Sequence, residues 1–219
     1  TLVGRPELFD HAILKIKSSV LRTVDVSNTG VVSPTSLTAL LTQCPAITSL
    51  SMAHCVWAAE KANACMVVLG RYGSRLQHLN VEAWGTSAEG LVALSRGSHA
   101  IRHLNINMFQ GGAAGLHALV PALPHLEVLR CSYQPIDVET LELLTAHCPR
   151  LTSVDGPSAS LGDAEVVVLA QLPQLRSLAA SQGRVSDVGF QALAANMPQL
   201  TALDLSSPLE RVLLTDDCV

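Results

Sequence analysis

"VSDVGFQALAANMPQLTALDLSS", residues 185–207, carries two different periodicities on either side of one proline. Before Pro198, Phe190, Leu193 and Met197 recur at three- and four-residue intervals, the spacing of one helical face. After it, "LTALDL" sets Leu203 and Leu205 two apart, the alternation of a strand. Proline lacks an N–H and stops a helix. The stretch therefore predicts a helix that ends at Pro198 and a strand over 200–205.

The strand portion defines a template, L-x-x-L-x-L, that returns along the chain. It reads "LRTVDV" from Leu21, "ITSLSM" from Ile47, "LQHLNV" from Leu76, "IRHLNI" from Ile101, "LEVLRC" from Leu126, "LTSVDG" from Leu151, "LRSLAA" from Leu175 and "LTALDL" from Leu200. Successive starts are 26, 29, 25, 25, 25, 24 and 25 residues apart. A near-constant period of this size marks stacked supersecondary units.

The helical portion returns as well. In "SPTSLTALLTQCP", Leu37, Leu40, Leu41 and Cys44 share one face, Ser33 caps the start, Pro34 fits the first turn and Pro45 ends it. "IDVETLELLTAHCP" repeats the design, with Asp137 as cap, Leu141, Leu144 and Cys148 as the buried face, and Pro149 as the stop. Two spans depart from the pattern. "VWAAEKANACMVVLGRYG", in the 29-residue unit, predicts a longer helix carrying Trp57, Cys65 and Tyr72. Gly156 and Pro157 stand where a strand residue should be, which predicts an opening of the sheet, because proline cannot donate to a ladder. "GGAAG", residues 111–115, falls between a strand and a helix and reads as a turn.

These residues resemble the leucine-rich repeat, in the cysteine-containing subtype of F-box and ribonuclease-inhibitor-like proteins. "LSMAHC" supplies that subtype's first cysteine as Cys55, "VSDVGFQAL" matches its helix start, and "TQCPAI" and "AHCPRL" match its C-P-x-L. The resemblance covers residues 21–207. It implies an α/β solenoid, a curved horseshoe with about eight parallel strands on the concave face and helices on the convex face. One domain, 1–219, is expected: 1–20 as a capping helix or partial repeat, 21–207 as the repeats, and 208–219 as a C-terminal cap or tail. Within 7–19, Phe9, Ile13, Leu14 and Ile16 form the expected apolar side, and Val212, Leu213 and Leu214 are candidates to cover the far end. Curvature follows because strands stack ~4.8 Å apart and helices ~8–10 Å apart. The first-cysteine position holds Thr29, Trp84, Phe109, Gln134, Ala159, Gly183 and Pro208 in the other units, so the side-chain ladder that ties such turns together is expected to be weak or replaced.

Apolar residues make up 48% of the chain and charged residues 15%, which suits a packed core built from aliphatic side chains, since aromatics are only 3%. The net charge of −4 argues against nucleic acid as a partner, and no apolar run is long enough to insert in a membrane. Six cysteines spread singly (Cys44, Cys55, Cys65, Cys131, Cys148 and Cys218) predict reduced thiols and an intracellular address, cytoplasm before nucleus or organelle. Thr1 in place of Met suggests a processed or truncated start.

No catalytic, phosphate-cradling or metal-binding motif is present, so no enzyme activity, cofactor or metal is expected. The template instead assigns its third and fifth residues, and those just after the strand, to the open side of the sheet. In mid-array these are His78, Asn80, Glu82, His103, Asn105, Met108, Arg130, Tyr133 and Asp155, the candidate partner-binding patch. His78 and His103 are cross-strand neighbours, but with Glu82 they offer only three ligands, and solvent-facing histidines are the preferred reading. The expected function is non-enzymatic binding of a protein partner through the concave face, as a subunit or adaptor of a multi-subunit complex. The resemblance offers a second reading, the substrate-recognition region of an F-box-type ubiquitin ligase receptor, with residues 1–20 too short to hold the F-box.

Overall fold

The computed structural model describes residues 6–30, 32–55, 58–134, 136–157, 161–180 and 184–205. Strands and helices alternate. The strands are β1 Thr23–Asp25, β2 Ser49–Ser51, β3 His78–Asn80, β4 His103–Asn105, β5 Val128–Gln134, β6 Ser153–Pro157, β7 Ser177–Ala179 and β8 Ala202–Asp204. The helices are α1 Pro6–Ile13, α2 Pro34–Gln43, α3 Ala59–Tyr72, α4 Ala88–Ser95, α5 Gly112–Leu119, α6 Val138–His147, α7 Asp163–Leu169 and α8 Asp187–Asn196. A short 3-10 turn, Val120–Ala122, extends α5. Every strand starts at the third residue of the L-x-x-L-x-L template.

The strands form one open parallel sheet in chain order. Pairing joins equivalent template positions throughout: Leu50 faces Leu79, Leu79 faces Leu104, and Leu104 faces Leu129. The fourth template position is the inward one. Leu50, Leu79, Leu104, Leu129, Val154 and Leu178 are each at most 2% exposed. At the end of the described sheet, Leu203 is 39% exposed. Helix faces meet these strands in one core, with Leu37, Leu40, Leu141 and Leu144 fully buried.

The helix boundaries follow the residues that predicted them. Ser33 Oγ accepts from the Ser36 amide at 3.1 Å and Asp137 Oδ1 from the Thr140 amide at 2.9 Å. Ser186 caps α8 by accepting from the Val188 amide. The long unit does contain the longest helix, α3, which buries Cys65. Its tight seam with α4 rests on Gly70, where a Cβ would lie 2.0 Å from the Ala93 carbonyl oxygen.

Three expectations need correction. Helix α1 ends at Ile13, so Leu14 and Ile16, each 36% exposed, fall beyond its buried face. "GGAAG" is not a turn: Gly111 is the cap position and Gly112–Leu119 is helical. Proline does not open the sheet at Pro157. Strand β6 runs through it and pairs it with Gln134, with a register shift between Arg130 and Gln134. The ladder at the first-cysteine position is, as expected, replaced in part. Cys55 Sγ reaches the Val26 carbonyl at 3.5 Å, and one unit on, Trp84 Nε1 donates to the Met52 carbonyl at 2.7 Å. Val26 and Met52 are equivalent residues, so a thiol and an indole make the same inter-unit bond. Thr29 turns back to the Val26 carbonyl within its own unit.

The five described cysteines are buried thiols outside any disulfide, and burial pushes Cys65, Cys131 and Cys148 up to about 12. Among the described residues no helix is long and apolar enough to cross a membrane. Trp57, Cys218, Ala159, Gly183, residues 208–219 and the Phe9 and Gln134 side chains lie outside what is described.

Candidate interaction face on the sheet

The in-register strands bring six of the nine candidate residues onto one face, with Glu82, Met108 and Tyr133 outside the paired positions. His78 pairs with His103 and Asn80 with Asn105 across β3 and β4; Asn105 then faces Arg130, and Arg130 faces Asp155. The burial of β3 and β4 alternates outward, inward, outward, as the template requires. The two imidazoles meet edge to face, with ring centroids 4.4 Å apart. Partial burial first, and the neighbouring His78 second, hold His103 below the usual histidine range against the opposing pull of Glu127.

Lateral hydrogen bonds order the polar residues. Asn105 Nδ2 donates to Glu82 Oε2 at 3.0 Å, and His54 Nε2 lies 3.7 Å from Glu82 Oε1. Glu82 is thus turned away from the His78–His103 pair. Asn80 Oδ1 accepts from the Glu82 amide at 3.2 Å and Asn105 Oδ1 from the Asn107 amide at 3.0 Å, so each asparagine folds back over the turn that ends its strand. Ser132 Oγ lies 3.2 Å from Asp155 Oδ1, and Arg130 Nε lies 4.0 Å from Asp155 Oδ2. A depression of about 390 Å³ lies over β2–β5, between the two histidines and Arg130.

The residue eight places into the template has positive φ in five successive units: Asn28 at 59°, His54 at 55°, Ala83 at 62°, Met108 at 62° and Tyr133 at 73°. This left-handed turn releases each strand toward its helix. Asparagine and histidine tolerate it better than most side chains. Met108 and Tyr133 nevertheless occupy it side by side, 48% and 69% exposed. Sequence reading placed both on this face but did not foresee the turn, whose only signal was the shared position.

A second cluster lies on the helix layer and was missed. His117 Nε2, on α5, donates to Asp137 Oδ1 at 3.1 Å, and Glu139 Oε2 lies 3.8 Å from His117 Nδ1. The two carboxylates face opposite ring nitrogens and bridge α5 to the start of α6, with one possible ligand atom from each of the three residues within 4.8 Å of the others. The signal was Asp137 itself, readable as a cap but not as the acceptor for a neighbouring helix.

No protein-family model matches the chain, and no curated protein sequence matches it. The functional reading therefore rests on the repeat and the face themselves.

Proposed function

We propose that the chain is a leucine-rich-repeat module, without catalytic activity, that binds a protein partner through the outward face of β3–β6 as a subunit or adaptor of a larger assembly. The repeat assignment is supported by the template, its near-constant period and the in-register parallel sheet it forms. The observation that carries the binding reading is the pair Met108 and Tyr133. A left-handed backbone costs about 1–2 kcal/mol for a residue with a Cβ. Here it holds a half-exposed methionine and a largely exposed tyrosine, where Asn28 shows that a small polar residue serves the same turn. Tyrosine and arginine are the residue types that anchor interfaces, and Arg130 adjoins this pair. A rigid sheet holds them in place and lowers the entropy lost on association. The test is affinity purification with mass spectrometry, comparing the native chain with Arg130→Ala plus Tyr133→Ala. A specific partner absent from the variant supports the reading; identical partners overturn it.

A further inference from the structure

We infer that the depression over β2–β5 receives an aspartate or glutamate side chain of the partner protein. The inference rests on the sheet-face reading above and adds the chemistry of what is held. The ionisable groups lining the depression are all basic: His78, His103 and Arg130. Its other polar lining includes Ser49, Asn80 and Asn105, with leucine and valine beneath. This is unusual on a chain of net charge −4.

The neighbouring carboxylates have nearer partners, although Glu127 also reaches His103 at 3.7 Å and Asp155 reaches Arg130 at 4.0 Å. Glu127 bonds Arg102, Glu82 takes Asn105 and His54, Asp155 takes Ser132, and Asp25 on β1 accepts from the Ser27 amide. Strand β2 contributes no charge beside the histidines, only Ser49 and Ser51. Glu127 also comes within 3.7 Å of His103 Nε2, but its nearer partner is the Arg102 guanidinium. Arg130 is held only at the outer limit of an ion pair, 4.0 Å from Asp155. Asn80 has its carboxamide oxygen tied to the Glu82 amide, which fixes the plane of the group and leaves its NH₂ to donate. Imidazole, guanidinium and carboxamide groups thus line one depression whose lining has no acidic side chain, and an ionised carboxylate, an acceptor-only group, matches that lining. A bound anion favours imidazolium over imidazole, so binding takes up protons and tightens as pH falls through the histidine range. The carboxylate remains ionised until about pH 4.

The test uses the whole chain and a short peptide of alternating glycine and glutamate, with the glutamine peptide as control, followed through the His78 and His103 ring signals by NMR. The glutamate peptide should shift both rings, raise their titration midpoints and bind at least about threefold more tightly near pH 6 than near pH 7.5. His103→Gln plus Arg130→Gln should weaken it roughly tenfold or more without unfolding the chain. Equal shifts from the glutamine peptide, undiminished binding by the variant, or no shift of either ring would overturn the inference. So would inorganic phosphate outcompeting the peptide, because the depression would then be a general anion site. None of these results touches the sheet-face reading, which stands or falls on partner loss in the Arg130→Ala plus Tyr133→Ala variant.

Discussion

The two layers of the molecule use the same polar residues to opposite ends. On the helix side, Asp10 accepts from the Ser33 amide at 2.8 Å, Asn63 exchanges two hydrogen bonds with Ser87, His117 bonds Asp137, and Asp163 accepts from the Ser186 amide at 2.8 Å. Each joins one helix to the start of the next: α1 to α2, α3 to α4, α5 to α6 and α7 to α8. The intervening helices start from Ala58, Gly111 and Gly162, which have no side-chain acceptor to offer. Among the described residues, side-chain bridges to helix starts therefore fall at alternate seams. On the sheet side, His78, His103, Asn80 and Arg130 line an open depression and Arg130 is only loosely held. Helix-side polar groups tie helix to helix; sheet-side groups also tie units, through Asn105–Glu82 and Ser132–Asp155, but leave the depression between them open.

That division can be broken from either side. The largest effect is expected from the core beneath both layers. Leu144→Ala, at a fully buried helix position, should cost about 2–5 kcal/mol by denaturant unfolding. A loss under 1 kcal/mol would mean the helix layer is not packed as described. At a bridge, Asp163→Ala should cost about 1 kcal/mol, the size of a lost helix cap, and leave partner binding intact. Hydrogen bonds from Ser186 hold the Asp163 carboxyl below its usual range. Asp137, despite the raising effect of its partial burial, is held low by Thr140 and His117. A carboxyl depressed on folding stabilises above its unfolded value, near about 4, and that stability is lost as pH falls through the lower folded value. Stability should therefore hold above about pH 4 and fall below it, less steeply in Asp163→Ala; equal slopes would contradict the bridge. The smallest effect belongs to the turns: Ala83→Gly should raise stability by about 0.5–1 kcal/mol, because glycine accepts positive φ without strain. A decrease would mean that the Ala83 side chain contributes more than its backbone costs.

Much of this was legible in the residues, and the limits have physical causes. The L-x-x-L-x-L template gave strand starts and register because each side chain on the sheet repeats at one position per unit, which is why His78, Asn80, His103, Asn105, Arg130 and Asp155 pair in register as expected. Ser33 and Asp137 announced their helices because a cap is a local event. Whatever depended on contact between units was hidden. Nothing local says that Asp163 reaches Ser186, that Trp84 can stand in for a cysteine, or that Gly70 lets two helices touch. Leu14 and Ile16 looked buried because helical spacing continued past Ile13, and periodicity alone does not show where a helix stops.

Partner recovery from three matched chains tests the central claim most directly: the native protein, Arg130→Ala plus Tyr133→Ala on the sheet face, and Asp163→Ala at a bridge. All three should fold, because exposed substitutions change stability by only about 0.5 kcal/mol each and the bridge variant loses about 1 kcal/mol. The account predicts that the partner recovered with the native chain is lost from the face variant and retained by the bridge variant. Retention by the face variant, or loss from the bridge variant alone, would contradict it.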